Sequence, residues 1–185
     1  MKERRILRER MANVRNDKAL RNAYLRSVYT GVDGIWYLVA EKHFGFENAV
    51  QLDREVWMIM AKIAARKTKE VLKLTDKGLA SLSKSLRFRF ATEGYRIASN
   101  RVTARKPQIE MIGCPWRLQV LKSKNEKLLA RIAESVCPLV YETWGREFLE
   151  GFQFRMSPQI CKGAKACRLS YIMGGRFPNK NGKAR

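Results

Sequence analysis

The period of the apolar residues changes near Gly94, and that change restricts the fold more than any other feature. Before it, apolar side chains recur at spacings of three and four, as in helices. After it, short stretches alternate or are rich in β-prone residues, as in strands. Residues 2–27 predict a basic helix without Gly or Pro, and Gly31 with Asp33-Gly34 predicts a turn. A short apolar helix follows over 35–43, ended by Gly45. The clearest helix spans 47–74, where Val56, Trp57, Met60, Ile63, Ala64 and Val71 share one face. Leu79, Leu82, Leu86 and Phe90 predict another over 79–92. Residues 95–99 and 108–112 read as strands. Residues 115–121 and 127–136 read as helices, the second continuing past Pro138 toward Gly151. Residues 152–156 and 167–173 read as a closing pair of strands.

The predicted fold class is therefore α+β, with an N-terminal helical half followed by a small antiparallel sheet packed against one or two helices. Residues 1–29 form the basic N-terminal helix of this scheme. One domain covers 30–173, divided into a helical half (30–92) and a sheet half (93–173) that holds all four cysteines. Residues 174–185 read as a basic flexible tail.

Four cysteines are the features most suggestive of chemistry. Cys114 and Cys137 each precede a proline that opens an apolar helical segment, and proline favours the first helical position. That places both thiols at helix N-termini, where the helix dipole and nearby Arg117 favour a thiolate. Cys161 and Cys167 bracket a loop between the two closing strands, and Gly163 lets that loop turn tightly. Four thiols in two such pairs suit tetrahedral sulfur ligation of zinc or an iron–sulfur cluster through Cys114, Cys137, Cys161 and Cys167. Ordinary burial accounts for them equally simply, since free cysteine is among the most buried residue types. A redox or nucleophilic pair is the third alternative.

His43 is the only histidine, so any Ser-His or Cys-His mechanism would have to use it. A P-loop, a G-x-G-x-x-G turn and the zinc-deaminase signature are all missing from the sequence. Glu142 and Glu147 lie on the last long helix near Cys137, as acid/base candidates or as exposed helix carboxylates. Trp36, Trp57, Trp116 and Trp144 suit the core, or the walls of an apolar ligand pocket between the helices and the sheet.

Lys and Arg number 38 against 17 Asp and Glu, a net charge of +21. The excess is spread out: +6 over 1–27, +6 over 101–131 and +7 over 162–185. This predicts solubility and attraction to polyanions, either as a basic solvated coat or as a nucleic-acid-binding surface. No apolar run approaches the ~20 residues that span a membrane, and the charged N-terminus does not read as a secretory signal. A cytoplasmic location is expected, where thiols stay reduced.

Several motifs resemble a little-characterised family of small cysteine-containing proteins from anaerobic bacteria and archaea. They are Asp33-Gly34-x-Trp36, Glu41, Phe44-Gly45-Phe46-Glu47-x-Ala49 and Leu52-Asp53-x-Glu55-Val56-Trp57. The second half, with Cys114-Pro115-Trp116, a further Cys137 and Cys161-x5-Cys167, is similar to the L-2-amino-thiazoline-4-carboxylate hydrolase-like family. More distantly its end resembles the 4-vinyl-reductase-like ligand-binding domain. The resemblance covers about residues 30–172. It departs from that pattern at Lys162-Gly163-Ala164-Lys165, which stands where a Gly-Asp stretch is usual. The resemblance implies a cysteine-lined site in a small α+β fold.

Three functions are expected. The first is a cysteine site that binds a metal centre or a small ligand, with Arg117 supplying charge and Trp36, Trp57 and Trp144 forming walls. The second is a thiol hydrolase that uses Cys114 or Cys137 with Glu142. The third is a basic nucleic-acid binder. The sequence leaves the oligomeric state open.

Overall fold

The computed structural model describes residues 17–102, 107–122 and 126–174, with Met11 and Val14. The proposed tail beyond residue 174 and most of the first 16 residues lie outside these. The described chain is α+β: three long helices first, then a four-stranded sheet interleaved with shorter helices.

Helix α1 (Lys18–Phe44) starts at Asp17, whose side chain accepts a hydrogen bond from the Leu20 amide. It runs straight through Gly31, Asp33 and Gly34, so the turn expected there is not formed and the two predicted helices are one. Gly34 has room to remain helical, because a Cβ there would meet only the Gln119 side chain, at 3.7 Å. Gly45, at φ 78°, then breaks the chain, and α2 (Phe46–Leu72) folds back on α1. Tyr37, Ala40, Ala49 and Val50 are buried between the two, together with Leu128. Helix α3 (Leu79–Glu93) ends at left-handed Gly94, and the strand pattern begins there.

Strands β1 (Arg96–Val102) and β2 (Pro107–Gly113) form an antiparallel hairpin. Helix α4 (Pro115–Lys122) follows at once, then α5 (Glu126–Arg131). A π-helical turn at Ile132–Val136 leads into α6 (Cys137–Arg146). This π turn sits where Pro138, lacking an N–H, cannot join a regular ladder. Strands β3 (Phe152–Met156) and β4 (Cys167–Met173) close the sheet in the order β1-β2-β4-β3, with every pairing antiparallel.

One face of the sheet is the floor of the main core. Ile109 and Met111 of β2 and Leu169 and Tyr171 of β4 pack against Leu82, Leu86 and Phe90 of α3 and Trp144 and Phe148 of α6. Helix α6 lies close enough to β4 that a Cβ on Gly145 would fall 2.6 Å from a Tyr171 ring carbon. Tyr171 anchors this approach by donating its hydroxyl to the Tyr141 carbonyl at 2.9 Å. Among the described residues no helix is long and apolar enough to cross a membrane.

Candidate functional site: a four-cysteine cavity

The ends of these elements converge on a cavity of about 90 Å³ lined by all four cysteines. Cys114 follows the last residue of β2. Cys137 opens α6. Cys161 lies in the short 3-10 turn Ile160–Lys162, and Cys167 is the first residue of β4. The register that pairs Met111 of β2 with Cys167 of β4 brings these strand ends to one place. Four positions far apart in sequence therefore share one wall, and all four are free thiols.

Their electrostatics differ from the expectation. Cys114 does cap α4: its sulfur accepts from the Arg117 amide at 3.5 Å. Burial nevertheless outweighs that hydrogen bond and pushes the thiol up to about 12. Cys137 is not at a helix N-terminus. Its amide is bonded to the Ile132 carbonyl through the π turn, so the helix dipole expected to favour its thiolate does not begin there. Burial and the neighbouring cysteines push it well above the usual thiol range. Burial also raises Cys161 and Cys167, with Arg117 pulling both the other way. The Cys167 sulfur further accepts from the Ile160 amide at 3.1 Å. At all four, burial favours the neutral thiol over the thiolate.

The tryptophans divide. Trp57 lines the cavity, and so does Trp116, their rings edge-to-face at 4.9 Å. Tyr29 extends the cluster, 5.3 Å from Trp116. Trp36 is 41% exposed on α1 and does not reach the cavity. Trp144 is 1% exposed in the main core, behind the lining. Glu142 is also outside the cavity and pairs with Arg146 at 2.8 Å. Glu147 takes part in ion pairs with Arg66 and Lys69.

Three lining residues carry chemistry that the sequence reading did not single out. Asp33 of α1 and Asp53 of α2 both lie near the Trp57 side chain, which favours their charged forms. Burial pushes Asp33 up to about 6, and burial together with Asp33 pushes Asp53 up to about 7. The third is Arg89 of α3, 5% exposed. Burial is the largest influence and favours its neutral form, but Glu93 together with Tyr95 and Tyr141 offsets this and keeps it charged. The spacing Asp33, Trp36, Tyr37 on α1 against Asp53, Trp57 on α2 was the available signal for the acidic pair. It was masked by reading Asp33-Gly34 as a turn.

The acidic pair predicts a pH effect. A carboxyl raised in the folded state stabilises the fold fully below its unfolded value of 3.8, and that stability is lost as pH climbs through about 7. At about 1.4 kcal/mol per pH unit, Asp53→Asn should stabilise the protein on the order of 2–4 kcal/mol at pH 8. It should change little at pH 4. Urea unfolding at the two pH values checks this; equal shifts at both would remove the strained carboxyl.

Among the described residues no three Cys, His, Asp or Glu side chains are grouped so that they would hold a metal ion as they stand. Comparison with known proteins gives one family: the description "Family of unknown function (DUF6125)" matches residues 8–157. No curated protein matches the sequence.

Proposed function

The chain belongs to the DUF6125 family, whose function is unknown, and from its own residues we propose that it binds a small, largely apolar molecule in the four-cysteine cavity. One observation carries this: four thiols and two tryptophans, drawn from helices and sheet alike, line a single cavity at the junction of the two halves. Apolar walls with a few convergent polar groups are the usual make-up of a small-molecule site. Neutral thiols add soft, polarizable surface without charge. Four free thiols also fit a reducing compartment such as the cytoplasm.

The test is toluene binding, followed by calorimetry and by Trp57/Trp116 fluorescence. Val140 lines the same cavity and is 5% exposed. Saturable binding to the wild type, lost in Val140→Phe while the variant keeps a cooperative unfolding transition, supports the reading. Absence of binding to the wild type, or binding that Val140→Phe leaves unchanged, overturns it.

A second reading is a soft metal centre, favoured by the sulfur-rich lining itself. Loading would require the thiols to draw together and release their protons. Anaerobic purification with iron, zinc and sulfide analysis addresses it. Stoichiometric metal that each single Cys→Ser variant weakens supports a centre on Cys114, Cys137, Cys161 and Cys167. Metal retained by all four variants removes it. The hydrolase-like reading has less support, because burial disfavours the Cys114 and Cys137 thiolates and Glu142 is engaged with Arg146 outside the cavity. Nucleic-acid binding rests on the net charge alone.

A further inference from the structure

Among the described residues, Arg89 is the one Lys or Arg that lines the cavity. Its Nε is already served, lying 3.1 and 3.2 Å from the two Glu93 carboxylate oxygens. Its guanidinium lies over the Trp144 and Tyr141 rings, at 4.8 and 5.3 Å. Its Nη1 is buried and finds no acceptor among the described residues. A buried donor left unpaired is costly, and more so when it belongs to a charged group. Such a group calls for an explanation, and the residue that carries it lines the cavity.

The surroundings suit an incoming oxygen acceptor. Tyr95 and Tyr141 line the same cavity, and both feel the Arg89 charge. The remaining wall here is apolar, from Met111, Val136 and Val140. The arginine fork matches a carboxylate better than any other common group. A dianion such as phosphate would need more donors than a single orphaned N–H.

We infer that the cavity's ligand carries a carboxylate, seated on the unpaired Nη1 of Arg89 with its apolar body against Met111, Val136 and Val140. This rests on the cavity being a small-molecule site, and it names the class of molecule: a small apolar monocarboxylate.

The experiment compares benzoate with toluene, which share an apolar ring and differ in the carboxylate. Both are titrated calorimetrically into the wild type, Arg89→Met and Arg89→Lys. Benzoate is expected to bind about tenfold or more tightly than toluene in the wild type, the size of a charge-assisted hydrogen bond. That preference is expected to vanish in Arg89→Met. Arg89→Lys keeps a charge beside Glu93 but withdraws the second donor arm, so the preference should fall there as well, even if the Met variant does not fold. Equal binding of benzoate and toluene to the wild type overturns the carboxylate and leaves the apolar cavity standing. Binding of neither overturns both. A benzoate preference that persists in the Arg89 variants assigns it to another cation and overturns the role of Arg89.

Discussion

Trp144→Ala is expected to lower the free energy of unfolding by about 3–5 kcal/mol, the range for emptying a buried aromatic site. Trp144 is 1% exposed at the centre of the core between α3, α6 and the sheet. Its indole N–H donates to Ser85 Oγ at 3.0 Å, and Ser85 in turn donates to the Leu82 carbonyl at 2.8 Å. Truncation therefore leaves a void and an unpaired buried hydroxyl acceptor, and strips one of the two rings that face Arg89. Trp36→Ala is the control. At 41% exposure on α1, its loss should stay within about 0.5–1 kcal/mol. Parallel urea titrations decide the point. Equal costs for the two tryptophans would contradict the placement of Trp144 in the core.

The second large effect is an asymmetry within one ion pair. Arg89 and Glu93 meet at 3.1 Å with side-chain exposures of 4% and 20%. Glu93→Gln leaves a buried guanidinium without its counter-charge, a change expected to cost about 3–5 kcal/mol. Arg89→Met removes the buried charge itself and keeps an apolar stem against Tyr141 and Trp144, while Glu93 retains contact with water. It is expected to cost less, about 1–2 kcal/mol. The order matters more than either value. If Arg89→Met proved the more damaging, Glu93 would not be what holds the charge inside. The same order is why Arg89→Met is expected to fold well enough for the carboxylate test.

Much of the fold was legible because its signals are local. The apolar face of α3, the alternation in β2, Pro115 opening α4, and Gly45 and Gly94 as breaks all depend on residues a few positions apart. The face expected of α2 is not the buried one: Val56, Ile63 and Val71 are exposed, and Asp53, Ala61, Ala65 and Thr68 are buried instead. The failure at Gly31–Gly34 has the same origin. Glycine and Asp-Gly are turn signals only on average, and here packing of α1 against α2 and α4 keeps the helix whole. Cys137 was misplaced because Cys-Pro resembles a helix start. The π turn before it continues the helix instead, and neither propensity nor spacing announces a π turn.

The site was legible as a set of residue types but not as an environment. The four cysteines could be named from the sequence; that they line one cavity is decided by the β2–β4 register and the docking of α6. Nothing in the local sequence sets Arg89 apart from neighbouring Arg87. Its burial, its partner Glu93 and its unpaired Nη1 exist only because α3 faces inward against α6 and the sheet. The order and type of most elements follow from the chain's local preferences, because backbone propensity and apolar period act between near neighbours. Which thiols and carboxyls are pushed toward neutrality, and which buried donor is left unpaired, follow from packing alone. Those depend on desolvation and on charges brought close through space, and neither quantity is written along the chain.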